Sequence, residues 1–267
     1  DDILYMDEID EPALSRYPED AHVEFRNVSF AYNTTTILKE VSFTANPGTI
    51  TALVGPSGAG KSTIAMLAAR FWDIQDGEIL IGNVPIKEIP TSVLMDNIAL
   101  VFQDNMLFFD TIEENIRMGN KTATFEDVKR AACAAQCHEF IEALPDGYQT
   151  LVGEGGTYLS GGEMQRLALA RAILKDAPVI LLDEATAFAD PENEGKILEA
   201  FSHLIKGKTV LVIAHRLGTI TNADHILYLD KGMITEKGTH EELLALHGAY
   251  AHMWKTYNRA KEWIIDR

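Results

Sequence analysis

Residues 49–71 read "TITALVGPSGAGKSTIAMLAARF". Ile50–Val54 form a short apolar run of strand length, and the stretch from Lys61 to Phe71 is rich in the small and apolar residues of a buried helix. The loop and helix start that join them, Gly55–Thr63, carry three glycines, three hydroxyls and a lysine. The spacing of Gly55, Gly60, Lys61 and Ser62 matches the phosphate-cradling pattern G-x-x-x-x-G-K-S/T. Glycines let successive backbone N–H groups wrap an anion without Cβ interference, and the following helix points its positive end at the same place. Lys61 is then in reach of the β- and γ-phosphates, and the Ser62 hydroxyl can ligate Mg²⁺. Ser57, Gly58 and Thr63 complete the loop. A strand before and a helix after are the context this motif requires, so the stretch is read as a nucleoside triphosphate site in an α/β fold.

Working outward, "HVEFRNVSFAY" alternates by two as a half-buried strand does, and "TTILKEVSFTANPGTITALVG" supplies two more strands around the turn "NPG". "DGEILIGNVPI" reads as a hairpin. These imply an antiparallel β subdomain at the N-terminus feeding a mixed sheet with a parallel core. From about Thr111 to Leu174 the pattern turns helical: "TFEDVKRAACAAQCHEFIEAL" and "GGEMQRLALARAILK" flank a glycine-rich linker. A compact α-helical subdomain inserted in the core is expected there. "APVILLDEAT" is too apolar for an edge, so it is read as a central parallel strand. "KTVLVIAHRL" and "ADHILYLDKGMITEKGT" add strands, and the last segment is an amphipathic helix or a pair of them.

With 267 residues and 46% apolar composition, the chain can form one large domain or two small ones around a real core. Its 40 acidic side chains against 23 basic ones give a net charge of −17, spread along the sequence. That balance argues against nucleic acid or an anionic lipid surface as an electrostatic partner. Cys133 and Cys137 lack a second ligand pair at metal-finger spacing, so they are read as core or helix-face residues. No apolar run approaches the roughly 18–20 residues of a membrane span. The chain opens on Asp1 rather than methionine and is read as a segment of something longer.

Two further motifs narrow the chemistry. "VILLDEA" carries Asp183 and Glu184 to the end of the buried strand, where the first suits Mg²⁺ and the second suits a general base for attacking water. "LSGGE", Leu159 to Glu163, opens the helix of "MQRLALARAIL" with a serine and two glycines, which makes a second anion nest. Two phosphate cradles in one chain either face one nucleotide within the monomer or each close on the nucleotide of a neighbour.

With these motifs the chain resembles the ATP-binding cassette of an ABC transporter, from Val23 to the last helix. The resemblance implies a P-loop ATPase that pairs head to tail with a second ATPase domain, as homodimer or heterodimer, around two ATP molecules with Mg²⁺. Carried over, Tyr32 in "FAY" is the aromatic that stacks on adenine, and Gln103 in "VFQD" touches Mg²⁺ or the attacking water. Ser160, Gly161 and Gly162 bind the partner's γ-phosphate. Glu154 belongs to the loop "LVGEGG", and Asp190 to the loop that follows the catalytic strand. His215 in "VLVIAHR" donates to the γ-phosphate and orients water with Glu184, which it follows by 31 positions, room for one helix and one strand. The departures are Glu163 where the signature ends in glutamine, Phe188 in "FAD", and the absence of an arginine after Glu154.

"NMLFFDTIEENIRMG" and "YPEDAHVEFRNVSFAY" resemble exporter-type members, in which residues 1–22 correspond to a linker from a fused membrane domain, 23–267 to the ATPase domain and about 104–175 to its helical subdomain. This places the domain on the cytoplasmic face of a membrane, docked to a transmembrane domain. A soluble ABC-class ATPase of translation or DNA maintenance shares both cradles. Repair types, however, need a long coiled coil between Lys61 and the signature, and the 99 positions to Ser160 leave no room for one. A small-molecule kinase would lack "LSGGE" and would need an acceptor site.

Overall fold

The alternation in "HVEFRNVSFAY" becomes β1 (Val23–Tyr32), whose Val23, Phe25, Val28 and Phe30 are buried. The period slips at Arg26–Asn27, where Asn27 takes a φ of 48° and the pairing register shifts. Asparagine tolerates this left-handed backbone better than most residues. Its amide N–H donates to Ser42 Oγ at 2.8 Å, and the Ser42 hydroxyl donates to Asn27 Oδ1 at 3.0 Å. The bulge returns Val28 and Phe30 to the face that Val23 and Phe25 began.

The computed structural model describes residues 11–12, 14–102, 106–183, 191–214 and 220–265, with the backbone alone for 191–194 and 260–265. It divides into two compact units, Asp1–Met95 with Ile213–Arg267, and Asp96–Val212.

In the first unit, β2 (Thr35–Ala45) pairs antiparallel with β1, and Phe25 stacks on its cross-strand partner Phe43 at 4.7 Å between ring centroids. β4 (Asp76–Ile81) pairs antiparallel with β1 and then, through a tight hairpin, with β5 (Val84–Pro85). The resulting four-stranded sheet, in the order β2-β1-β4-β5, is the antiparallel subdomain expected from the sequence. β3 (Ile50–Val54) instead runs parallel to β11 (His225–Asp230), which pairs antiparallel with β12 (Met233–Gly238). The buried helix after the glycine loop is α1 (Lys61–Ala68). Downstream, the final segment resolves into two helices, here α8 (His240–Ala245) and α9 (Ala249–Ile265). They are two because Glu236 reaches from β12 to accept the backbone N–H groups of Ala249 and Tyr250 at 2.6 and 3.1 Å, starting α9 afresh.

In the second unit, β7 (Asp110–Thr111) pairs antiparallel with β8 (Leu151–Val152), β6 (Ile98–Val101) pairs parallel with β9 (Val179–Asp183), and β10 (Thr209–Ile213) lies on the other side of β9. β9 is buried until Asp183, as expected of a continuous apolar strand between two neighbours. The helices are α3 (Ile112–Arg117), α4 (Phe125–Ala134), α5 (His138–Glu142), α6 (Gly161–Lys175) and α7 (Pro191–Ile205), with α2 (Thr91–Asn97) leading into the unit. The single helical pattern of "TFEDVKRAACAAQCHEFIEAL" breaks into α4 and α5. Gln136 takes a φ of 57°, and the Cys137 amide folds back onto the Ala132 carbonyl at 2.7 Å. That reversal buries Cys137, whose thiol pKa is pushed up by burial, and leaves Cys133 exposed on α4. Buried in this way, Cys137 is an inert packing residue rather than a reactive thiolate.

Leu38 of β2 is fully buried and packs beneath the glycine loop. Leu38→Ala is expected to destabilise the chain by about 2–5 kcal/mol, read as a lower midpoint in urea unfolding with an unchanged m value.

Candidate functional site

The first cradle is built within the first unit. β3 ends at Val54, and Gly55 turns away with a φ of 139°. A Cβ at Gly55 would meet the Leu229 carbonyl oxygen closer than any real Cβ contact, so glycine is demanded here by the neighbouring strand β11. The Ala59 amide bonds the Pro56 carbonyl at 3.3 Å, and Gly60 enters α1 at a φ of 101°, over Leu38. No side chain caps α1, and its first turn holds no acidic residue. By contrast α3, α4, α6 and α8 each carry a hydroxyl cap and a carboxylate in the first turn. The N-terminus of α1 therefore has its positive dipole end without a carboxylate or hydroxyl cap of the chain's own, a helix start suited to an external anion.

Lys61 is 7% exposed, and its ammonium donates to the carbonyls of Gly55 and Pro56 at 2.9 and 2.8 Å. The charge is thus folded over the loop it serves. Thr63 is buried beneath, while Ser57, Gly58 and Ser62 face outward, the arrangement expected of an anion-wrapping loop. Tyr32 closes β1 in the same unit. The Ala214 amide, just before His215 in the sequence, bonds the Leu53 carbonyl at 3.1 Å, two residues ahead of Gly55.

The second cradle is the start of α6 in the second unit. Ser160 is its cap: Ser160 Oγ accepts the Glu163 N–H at 3.3 Å, while Glu163 Oε2 accepts both the Ser160 N–H and the Ser160 hydroxyl at 2.8 Å. This reciprocal box needs a glutamate or glutamine three residues after the cap, so Glu163 does here what glutamine would also do. Its charge is turned back onto the cap and sits favourably at the helix's positive end. Leu159 and Gly162 are buried, but Gly161 is exposed, with open space where a Cβ would stand. The turn is anchored from below and open above.

Asp183 ends β9 half-buried, one residue past the apolar run. Glu154 is exposed in a turn closed by the Gly156 amide on the Gly153 carbonyl at 3.0 Å. Gln103, Glu184, Phe188, Asp190 and His215 lie outside the described residues.

A family model described as "ABC transporter" matches residues 38–187, from β2 through the end of the "DEAT" segment. The chain belongs to the ABC transporter family. It is 50% identical over 88% of its length to the mycobactin import ATP-binding/permease protein IrtA of Mycobacterium tuberculosis, covering 28% of that protein. It is 47% identical over 93% of its length to an ATP-dependent lipid A-core flippase of Syntrophus aciditrophicus, covering 41% of it. Among solved structures it resembles a bacterial Atm1-family ABC exporter with ATP bound, at a TM-score of 0.86 and 43% identity, covering 94% of this chain and 44% of that one. The chain thus spans less than half the length of these relatives. Its fold is that of an exporter-type nucleotide-binding cassette, with the antiparallel subdomain, mixed sheet and helices expected from the sequence.

The cassette also gives a physical reason for "TIEENI", which the sequence offered only as a likeness. Thr111 caps α3 by accepting the Glu114 N–H at 3.1 Å. Asn115, 1% exposed, exchanges hydrogen bonds with the Phe108 backbone at 3.0 Å in both directions and donates to the Thr111 carbonyl at 3.0 Å. Arg171 of α6 then donates to the Asn115 carbonyl at 2.9 Å. One buried asparagine ties the segment after Gln103 to the helix that carries the second cradle, a role that a polar residue inside an apolar helical pattern could have signalled.

Ser160→Ala in this cassette is expected to cost about 1 kcal/mol through the lost cap. Glu163→Gln keeps the box and should stay within about 0.5 kcal/mol of the parent. Both are read by urea unfolding.

Proposed function

We propose that this cassette binds and hydrolyses Mg²⁺·ATP at a composite pocket formed with a second ABC ATPase domain, and that it thereby powers a transmembrane domain from the cytoplasmic face of a membrane. The observation that carries the reading is the pair of contrasting helix starts. α1 is uncapped beside a buried lysine, and α6 is capped by its own glutamate yet open at Gly161. The first suits the chain's own triphosphate, and the second suits one brought by a neighbour. Among the described residues no helix is long and apolar enough to cross a membrane, so any spanning part belongs to another segment or chain. The relatives named above are transport proteins, which favours this reading over a soluble ATPase of translation or DNA maintenance.

In this mechanism Gly55–Thr63 and the first turn of α1 hold the β- and γ-phosphates, with Lys61 turning from its loop carbonyls to the phosphate oxygens. Ser160 and the Gly161 and Gly162 amides meet the γ-phosphate of the facing subunit, and the Ser160 hydroxyl exchanges Glu163 for a phosphate oxygen. The same dimer contact is the role assigned to Asp190. Water attacks the γ-phosphorus in line, its proton passes to Glu184, and ADP leaves; His215 donates to the γ-phosphate, and Gln103 orients the water. The Ser62 hydroxyl, the Asp183 carboxylate and the Gln103 amide oxygen are hard oxygen donors, a set that fits Mg²⁺. When bound, the ion neutralises charge on the β- and γ-oxygens. Closure of the pair moves the membrane helices, and hydrolysis resets them.

Glu184→Gln is expected to keep ATP binding, accumulate an ATP-dependent dimer on size-exclusion chromatography and lose hydrolysis by a factor of about 100 or more. Normal turnover in that variant overturns the assignment of the base. Lys61→Ala should lose ATP binding in a titration, and Ser160→Arg should bind ATP and stay monomeric.

A further inference from the structure

The β1/β4 ladder ends, in backbone terms, at the pair Ser29 and Asp76. Two residues further along β1, at Ala31, no β4 backbone remains to pair. The side chain of Gln75 stands in: its Oε1 accepts the Ala31 N–H at 2.9 Å, and its Nε2 donates to the Ala31 carbonyl at 3.2 Å. A side-chain amide carries one donor and one acceptor in fixed relation, as a peptide unit does, and here it extends the ladder by one step. That step lands directly before Tyr32.

The Tyr32 ring is fixed from three sides. Phe30, 2% exposed, meets it edge-on with centroids 4.8 Å apart, and Trp72 meets it edge-on at 5.3 Å and 82°. The Tyr32 hydroxyl points to Met66 Sδ on α1 at 3.9 Å. Trp72 and Gln75 belong to the one short segment between α1 and β4. That segment therefore ties the ring to the strand behind it, and Met66 ties it to the helix whose N-terminus is read as the phosphate cradle. An aromatic free to rotate gives up part of its stacking energy to its own ordering, and a preset one does not.

We propose that Gln75 and Trp72 are positioning residues for a purine platform: they hold Tyr32 at the angle and distance from the phosphate cradle that a nucleoside triphosphate requires. The inference rests on reading Tyr32 as the base-stacking aromatic and deepens it. Gln75 acts through the Ala31 backbone, and Trp72 acts through ring contact, without either being asked to touch phosphate.

The test separates the base-dependent part of affinity from the phosphate part. ATP and inorganic tripolyphosphate are each titrated with Mg²⁺ against the whole chain, and the Kd of tripolyphosphate divided by that of ATP is the readout. Gln75→Leu should reduce that ratio about fivefold and leave tripolyphosphate affinity unchanged. Gln75→Glu keeps the acceptor for the Ala31 N–H but sets a carboxylate against the Ala31 carbonyl, and should fall likewise. Should Gln75→Leu not fold, Gln75→Glu decides alone. Trp72→Ala should reduce the ratio, and Trp72→Phe, which retains an edge, should restore it. Tyr32→Ala is the reference and should reduce the ratio about tenfold or more. If Tyr32→Ala leaves the ratio intact, the base-stacking reading fails and the inference with it. If Tyr32→Ala collapses the ratio while folded Gln75 and Trp72 variants keep the parent value, the inference alone is overturned. The same holds if those variants weaken tripolyphosphate equally.

Discussion

The close approach of Gly55 to the Leu229 carbonyl decides where β3 stops. Any side chain at that position would strike the backbone of β11, and the chain would have to leave the sheet elsewhere. Because it leaves there, the loop Pro56–Gly60 curls back on itself and α1 begins without a side-chain cap. The buried Lys61 is then enclosed by the same loop, bonded to the carbonyls of Gly55 and Pro56. A glycine that looks like part of a ligand motif is thus also a packing residue. The geometry of the cradle follows from strand spacing in the sheet, about 4.8 Å in the hydrogen-bonding direction.

Against that background the treatment of helix starts becomes informative. This acidic chain has carboxylates to spare and places them in the first turns of α3, α4, α6 and α8, where each stabilises its helix. It withholds one from α1. The difference is a few tenths to about 1 kcal/mol of local helix stability forgone, and the result is a positive helix end with no carboxylate of its own beside a buried cation. At α6 the same logic is softened: Glu163 caps Ser160 internally, yet Gly161 keeps the upper surface clear. A charged signature is therefore compatible with an open nest, because the charge is spent inward on two hydrogen bonds.

Two buried or clamped amides recur as joints. Asn115 holds the loop Phe108–Thr111 against α3 and passes the connection to Arg171 of α6. Gln75 holds Ala31, near the end of β1, where the β1/β4 backbone ladder has run out. In both places a side-chain amide substitutes for a missing peptide partner, which satisfies backbone groups that would otherwise be stranded at the end of an element.

The primary structure by itself was enough for the strand–glycine loop–helix unit, the apolar β9 that ends at Asp183, the serine–glycine helix start and most of the strands, though not for the short β6. Each of these is local: a spacing, a period of two or an apolar run that does not depend on distant residues. Tertiary structure alone decided that β2 and β3 join different sheets although only "NPG" and a few residues separate them. It also decided that one helical pattern breaks at Gln136, that Glu163 faces its own cap, and that Gln75 braces the strand before Tyr32. The reason is the same in every case. Pairing partners, left-handed turns and side-chain amides are selected by groups brought together from far along the chain, and their sequence signal is a single polar residue whose neighbours in space are not its neighbours in sequence.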